Sequence, residues 1–282
     1  MSANEIFTDK QRFSVDLSTT DKWTTLAPGK HTFQIVARAG NYIDSDKSDP
    51  TEFTREGPPD YLCFTAEKAM STVAMAVNGT PTKGQAFETS TDGTNWSVFT
   101  PGTTKITLAN AGDKVYFRGD NTTVSESNAT YYKFVMSGKI AASGNIMSLL
   151  DKTCQSTIIS NGYCYYYMFY GCRSLITAPA LPATTLANNC YTEMFQDCTS
   201  LTTAPALPAT KLTSGCYDMM FQGCRGLKIS ATQTGEYTTA WRIPSTGKIA
   251  AEASNWNNNM LKNTGGTFTA NPSINTTYYM AG

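Results

Sequence analysis

The chain has 282 residues, long for one ordinary domain and enough for two or three, so internal boundaries come before sites. Its 22 Lys+Arg balance 22 Asp+Glu, leaving no global field to draw it toward nucleic acid or an anionic membrane. No apolar run approaches membrane-spanning length, and the opening MSANEIFTDK lacks the basic-then-apolar order of a secretory signal, so synthesis and retention in a cytoplasm are expected.

Charged residues are only 16% of the chain while Thr, Ser, Asn and Gly are abundant, a composition that suits short strands and tight turns and implies a multidomain, mainly β protein. The five Asn-x-Ser/Thr sequons, at Asn78, Asn95, Asn121, Asn128 and Asn275, are attributed to chance in so Asn- and Thr-rich a chain.

In chain order, residues 1–56 alternate apolar and polar side chains at Phe13, Val15 and Leu17 and, after the turn-forming Pro28-Gly29, at Phe33, Ile35 and Ala37. The stretch from Leu26 to Ser45 resembles the last strands of a fibronectin-type-III or Ig-like domain. About 55 residues cannot supply all seven strands of that fold, so the module is expected to anchor on a partner. Ser45 to Pro59 is polar and Pro-containing and reads as a linker.

Residues 57–140 show alternation at Val73/Met75/Val77, Trp96/Val98, Ile106/Leu108, Val115/Phe117 and Phe134/Met136, separated by the turn signals Asn78-Gly79, Asp92-Gly93 and Gly119-Asp120. Regular short strands between such turns predict a β-sandwich.

Residues 141–282 contain a 26-residue repeat: Cys164-Tyr165-x-x-Met168-Phe169-x-x-Cys172 recurs as Cys190-Tyr191-x-x-Met194-Phe195-x-x-Cys198 and as Cys216-Tyr217-x-x-Met220-Phe221-x-x-Cys224. Between the blocks, Leu175-x-x-Ala178-Pro-Ala-Leu181-Pro and Leu201-x-x-Ala204-Pro-Ala-Leu207-Pro favour a short extended piece, because proline forbids a helix there. Placed on a helix, Cys164, Met168, Cys172 and Leu175 fall within an arc of about 80°, which predicts one helix and one brief strand per copy. The predicted repeat core is Cys164, Met168, Phe169, Cys172 and Leu175, with Cys190, Met194, Phe195, Cys198 and Leu201, and Cys216, Met220, Phe221, Cys224 and Leu227. One copy cannot bury its apolar face alone, so caps are expected at Ile146 to Cys154 upstream and at Trp256 to Thr264 downstream.

The positions that vary between copies, Tyr166/Thr192/Asp218, Tyr167/Glu193/Met219 and Tyr170/Gln196/Gln222, are predicted to form the surface. Tyr166, Tyr167, Tyr170, Glu193 and Gln196 are the candidate binding residues, since clustered exposed aromatics favour interfaces or sugar stacking. The competing reading is that the three tyrosines merely cover a cap or the sandwich.

No catalytic, metal-binding or cofactor-binding set emerges. On a helix Cys164 and Cys172 would lie about 12 Å apart, too far for a disulfide, and no cysteine pair has zinc-knuckle spacing, so buried reduced thiols are expected, with Cys63 and Cys154 less determined. His31, the single histidine, sits in an alternating strand without a partner for catalysis.

The blocks Cys-Tyr-x-x-Met-Phe-x-Gly-Cys-x-Ser-Leu and Ala-Pro-Ala-Leu-Pro-Ala-Thr closely resemble BspA-like leucine-rich repeats, found in surface proteins of gut Bacteroidetes and in virion proteins of their phages, crAss-like phages included. The resemblance covers 141–282, and the stretch from Asn95 to Met147 is similar to the β region that precedes such repeats. It implies a short α/β leucine-rich-repeat solenoid that adheres or decorates, not an enzyme, without a cofactor. With no signal in view, the expectation is a virion protein such as a head fibre, capsid decoration or tail appendage. Its expected partners are other virion proteins through the N-terminal module and a host-surface glycan or protein, and a homo-oligomer, a trimer for instance, would complete that module. The alternative is a bacterial cell-surface adhesin.

Overall fold

A computed structural model of the chain describes residues 29–33, 51–55 and 59–282. The chain divides into two compact units, Met1–Pro58 and Pro59–Gly282. In the first, β1 (Gly29–Phe33) pairs antiparallel with β2 (Thr51–Arg55), placing His31 opposite Phe53. The run Ser45 to Pro59, expected as a linker, therefore contains a strand: Thr51, Phe53 and Thr54 carry the β-branched and aromatic side chains that suit one. The alternation at Phe13 to Leu17 lies outside the described residues.

The second unit begins with β3 (Leu62–Ala66), β4 (Ser71–Asn78), β5 (Phe87–Ser90), β6 (Ser97–Phe99), β7 (Lys105–Leu108), β8 (Lys114–Gly119), β9 (Tyr131–Ser137) and β10 (Ile140–Ser143). Together with β11 (Leu175–Thr177) they form a six-stranded sheet ordered β11-β10-β3-β8-β5-β6 and a three-stranded sheet ordered β7-β4-β9. Alternation explains the burial: Val73 and Met75 of β4, Val115 and Phe117 of β8 and Phe134 of β9 point inward, and Phe64 and Phe117 of one sheet meet Phe134 of the other at 4.8 and 5.1 Å. Trp96 and Val98 depart from the expectation, because only Phe99 of β6 is buried and Val98 is 81% exposed.

The boundary expected at 140/141 falls inside this unit. β10 pairs antiparallel with β3 and parallel with β11, so one sheet runs from the sandwich into the first repeat.

The predicted repeat helices are not present; among the described residues each block is a ribbon of turns. The cause is a residue in the left-handed region at every fourth position: Tyr163, Tyr167 and Gly171 in the first copy, Asn189, Glu193 and Asp197 in the second, Gly215, Met219 and Gly223 in the third. A left-handed residue interrupts the i to i−4 bonding of an α-helix. Instead, Tyr166, Met168, Tyr170 and Cys172 donate their N–H groups three residues back, to Tyr163, Tyr165, Tyr167 and Phe169. The intervening Tyr165, Tyr167, Phe169 and Gly171 donate to Cys190, Thr192, Met194 and Gln196 of the next copy, at 2.8, 3.3, 2.8 and 2.8 Å.

Copies thus stack as rungs, and their side chains stack with them. The rings of Phe134, Phe169, Phe195 and Phe221 succeed one another at 5.3, 5.2 and 5.6 Å, and those of Tyr165, Tyr191 and Tyr217 at 5.7 and 6.1 Å, all nearly parallel. The thiols of Cys172, Cys198 and Cys224 donate to the carbonyls of Phe134, Phe169 and Phe195, one rung earlier, at 3.2, 3.0 and 2.9 Å. All fifteen repeat-core residues named above are buried.

The upstream cap differs from expectation. Ile146–Leu149 is a single 3₁₀ turn that accepts the Tyr165 hydroxyl at Ile146 O (3.1 Å), and the carbonyl edge of the first rung is closed by Ser125 N–H to Cys164 O and Phe134 N–H to Met168 O, both 2.8 Å. Downstream, Tyr217, Met219, Phe221 and Gly223 donate to Trp256, Asn258, Met260 and Lys262, so the segment from Trp256 forms the last rung. The longer connection before it carries β12 (Lys211–Leu212), β13 (Ile229–Ser230), β14 (Tyr237–Arg242) and β15 (Ala251–Glu252), and β16 (Thr277–Ala281) follows it; β12 pairs parallel with β15, and β16 lies between β13 and β14.

Phe195 sits in mid-column with a parallel ring on either side. Phe195→Ala should lower unfolding stability by about 3–5 kcal/mol in chemical denaturation, more than an isolated surface change of under about 0.5 kcal/mol. A loss of that smaller size would show that the column contributes little.

Candidate functional site

Four of the five candidate residues, Tyr167, Tyr170, Glu193 and Gln196, are partly exposed on the stack, and the fifth, Tyr166, is buried among its neighbours. Tyr166 and Tyr167 stack at 4.1 Å, and Tyr167 and Tyr170 meet at 4.4 Å. Tyr131 on β9 joins them edge-on, 5.5 Å from Tyr166 and 5.1 Å from Tyr167, and Tyr163 lies 5.7 Å from Tyr166. Lys133, two residues along β9, holds its ammonium 5.2 Å from the Tyr170 ring centre.

The structure separates two roles that the copy-to-copy variation had merged. Tyr166 is only 7% exposed and Thr192, its equivalent, 6%, so this position is buried rather than surface. Tyr131, Tyr163 and Tyr167 cover the Tyr166 ring, and the Thr192 hydroxyl donates to Gly215 O at 2.6 Å. Tyr167, Tyr170, Glu193 and Gln196 remain partly exposed. Gln196 is directly under the end of the first rung, its carbonyl accepting from Gly171 N–H.

Glu193 lies beneath the tyrosines, with the Tyr166 hydroxyl donating to its carboxylate at 3.5 Å. Burial pushes its carboxyl above the usual range, against the opposing hydrogen bonds from Tyr167 and Tyr166. Burial likewise raises the Tyr167 and Tyr131 phenols, which stay neutral and serve as hydrogen-bonding rims to apolar rings. The arrangement is a cluster of mutually packed tyrosine rings with one carboxylate and one ammonium beside it, chemistry suited to holding a ligand by stacking and hydrogen bonds.

Tyr131, Tyr163 and Lys133 escaped the sequence reading. The signal for Tyr131 was available: in the pair Tyr131-Tyr132 on a strand only one can face the core, and Tyr132 does, at 6% exposure. That Tyr131 then meets the repeats depends on β9 docking on the first rung, which no local pattern encodes.

Among the described residues no group of three or more His, Cys, Asp or Glu side chains is placed to hold a metal ion, and no helix is long and apolar enough to cross a membrane. No family model, curated protein or solved structure matches the chain.

The thiols face inward. Burial pushes the Cys164 thiol up to about 11 and those of Cys172 and Cys216 up to about 12, and raises Cys190, Cys198 and Cys224 as well. Alkylation of the native protein at neutral pH should therefore spare all six repeat cysteines, and Cys154, which is partly exposed, should be the first modified as the pH rises toward its value of about 11. Peptide mass spectrometry after brief iodoacetamide treatment reads this directly; labelling of Cys198 or Cys224 in folded protein would contradict the thiol–carbonyl ladder.

Proposed function

We propose that this chain is a non-enzymatic structural and adhesion protein of a phage particle, a head fibre, capsid decoration or tail appendage. Its repeats are a short solenoid of leucine-rich type that presents the tyrosine flank to a host-surface glycan or protein. The observation that carries this reading is the platform of Tyr131, Tyr163, Tyr167 and Tyr170, whose rings are held by one another and by a hydrogen-bonded stack before any ligand arrives. Aromatic groups fixed in advance lose little conformational freedom on binding, which is what a contact surface needs.

Further support comes from how the repeat spends its reactive groups. The second cysteine of each copy gives its S–H to a backbone carbonyl of the preceding rung, so the most invariant polar atoms of the motif serve packing rather than chemistry. The resemblance of the repeat blocks to BspA-like repeats points to decoration and adhesion, and in this reading the N-terminal unit attaches the protein to other virion proteins, with a homo-oligomer completing it.

Labelled protein should bind host cells, and Tyr167→Ala with Tyr170→Ala should weaken that binding at least tenfold, equivalent to about 1.4 kcal/mol, while leaving the melting temperature near that of the parent. Undiminished binding by the double variant would remove the platform from the function. Mass spectrometry of purified particles should find the protein there; its recovery instead in the bacterial envelope would favour a cell-surface adhesin. Release of reducing ends from host polysaccharide by pure protein would overturn the non-enzymatic assignment.

A further inference from the structure

The connections between the blocks carry a second recurring feature, Ala178-Pro-Ala-Leu-Pro182 in the first copy and Ala204-Pro-Ala-Leu-Pro208 in the second, and the tyrosine cluster uses none of it. Each contains a Pro-x-x-Pro run, a pattern that stiffens extended backbone and is recognised by aromatic side chains. Between the two runs lies a trough of about 430 Å³, lined by Pro179 and Pro182 of the first, Pro205 and Pro208 of the second, and the exposed Ala180 and Ala206. Backbone alternation decides which polar groups face it. Ala180 donates its N–H to Gly144 O at 2.8 Å and accepts from Ile146 N–H at 3.1 Å, so both of its backbone groups point toward the strand before it. In extended chain the neighbouring carbonyl, that of Pro179, then points the opposite way, toward the second run. Among the described residues no donor reaches Pro179 O, and Pro205, its equivalent in the second run, has no N–H to give.

The second run shows what such a carbonyl takes. Pro205 O accepts the indole N–H of Trp241 at 3.1 Å, and Trp241 is only 4% exposed there, beside Ala204 and Ala206. The third copy lacks a Pro-x-x-Pro run, and β14 brings Trp241 to the second run in its stead. Among the described residues no tryptophan covers the first run: Trp96 lies under Arg118, 4.0 Å from its guanidinium, and Trp256 meets Tyr217.

We propose that the trough between the two runs is a docking site for a tryptophan side chain of another protein, its ring against the proline walls and its indole N–H donating to Pro179 O. Tryptophan meets the demand because it joins a large apolar face to a single donor, which an apolar trough with an unpaired carbonyl can satisfy. The trough is also of a size that holds such a group, within the range of about 300–1,000 Å³ found for ligand pockets. Trp241 on Pro205 is the same contact made within the chain, one copy further on.

The trough shares no residue with the tyrosine cluster, so a chain that binds no host cell could still bear this out. N-acetyl-tryptophanamide added to the whole chain should shift the Ala180 and Ala206 methyl resonances saturably in NMR. Its 1-methylindole analogue, which keeps the ring and loses the N–H, should bind at least about fivefold more weakly. Ala180→Glu, at an exposed position, should abolish the shift at Ala206 and leave the melting temperature near that of the parent. Absence of saturable shifts, or equal binding of the two compounds, would overturn the proposal. Sedimentation showing that the chain self-associates, and that Ala180→Glu stops it, would seat a second copy in the trough and overturn it too. Should Ala180→Glu not fold, the two compounds on the parent chain decide alone.

Discussion

Every second N–H of a repeat block can be satisfied only by the next copy. Tyr165, Tyr167, Phe169 and Gly171 donate forward, while the residues between them donate back within their own turns. An α-helix closes its backbone bonds internally and can exist without neighbours, whereas a turn ribbon standing alone would leave half its donors to water. That requirement fixes the copies in register, because the donor spacing of one rung must match the carbonyl spacing of the next. It also explains why the recurring side chains lie above their own equivalents: once the backbones are in register, Phe meets Phe, Tyr meets Tyr, and the second cysteine of each block meets a phenylalanine carbonyl one layer earlier.

A stack of this kind has a carbonyl edge at its start, and the sandwich serves to close it. Ser125 and Phe134 supply the N–H groups that a preceding rung would have supplied, and the Phe134 ring takes the first place in the phenylalanine column. Phe134 also meets Phe64 and Phe117 of the opposite sheet, and Phe64 meets Phe169 of the first rung at 6.1 Å, so the sandwich core and the repeat core are continuous. Sandwich and repeats accordingly form one compact unit. The same docking brings Tyr131 and Lys133 of β9 against the first rung, which makes the aromatic platform a product of the junction rather than of either part.

The repeat register, the inward residues and most sandwich strands were legible in the sequence, because burial leaves an alternating or recurring apolar signature. The conformation of the blocks is not carried by that signature. Apolar residues at 164, 168 and 172 satisfy a helix at 100° per residue, but a ribbon whose turns repeat every four residues places them on one side equally well. Apolar spacing alone cannot separate the two. What separates them is the phase of the turn formers: Gly171, Asp197 and Gly223 fall at one outer position, and Asn189 and Gly215 at another, where only a left-handed backbone makes Gly, Asn and Asp the favoured choice. In a helix, those positions would have gained from Ala, Glu or Lys. The burial of Tyr166 was hidden for a different reason, since it depends on a strand some 35 residues earlier packing over it, a non-local contact that leaves no local trace.

The same backbone demands decide where the chain is free to vary. Core positions are fixed by the columns, and the left-handed positions favour Gly, Asn and Asp, so side-chain chemistry is unconstrained mainly at the outer places held by Tyr170, Gln196 and Gln222. Tyr163, Tyr167, Glu193 and Met219 nevertheless adopt left-handed conformations, at φ of 58°, 59°, 55° and 50°, despite the steric cost to a side chain with a Cβ. Three of these four, Tyr163, Tyr167 and Glu193, belong to the tyrosine platform or the carboxylate beneath it. The side chains of these three residues do what a glycine there could not: Tyr163 and Tyr167 pack on Tyr166, and Glu193 accepts the Tyr166 hydroxyl.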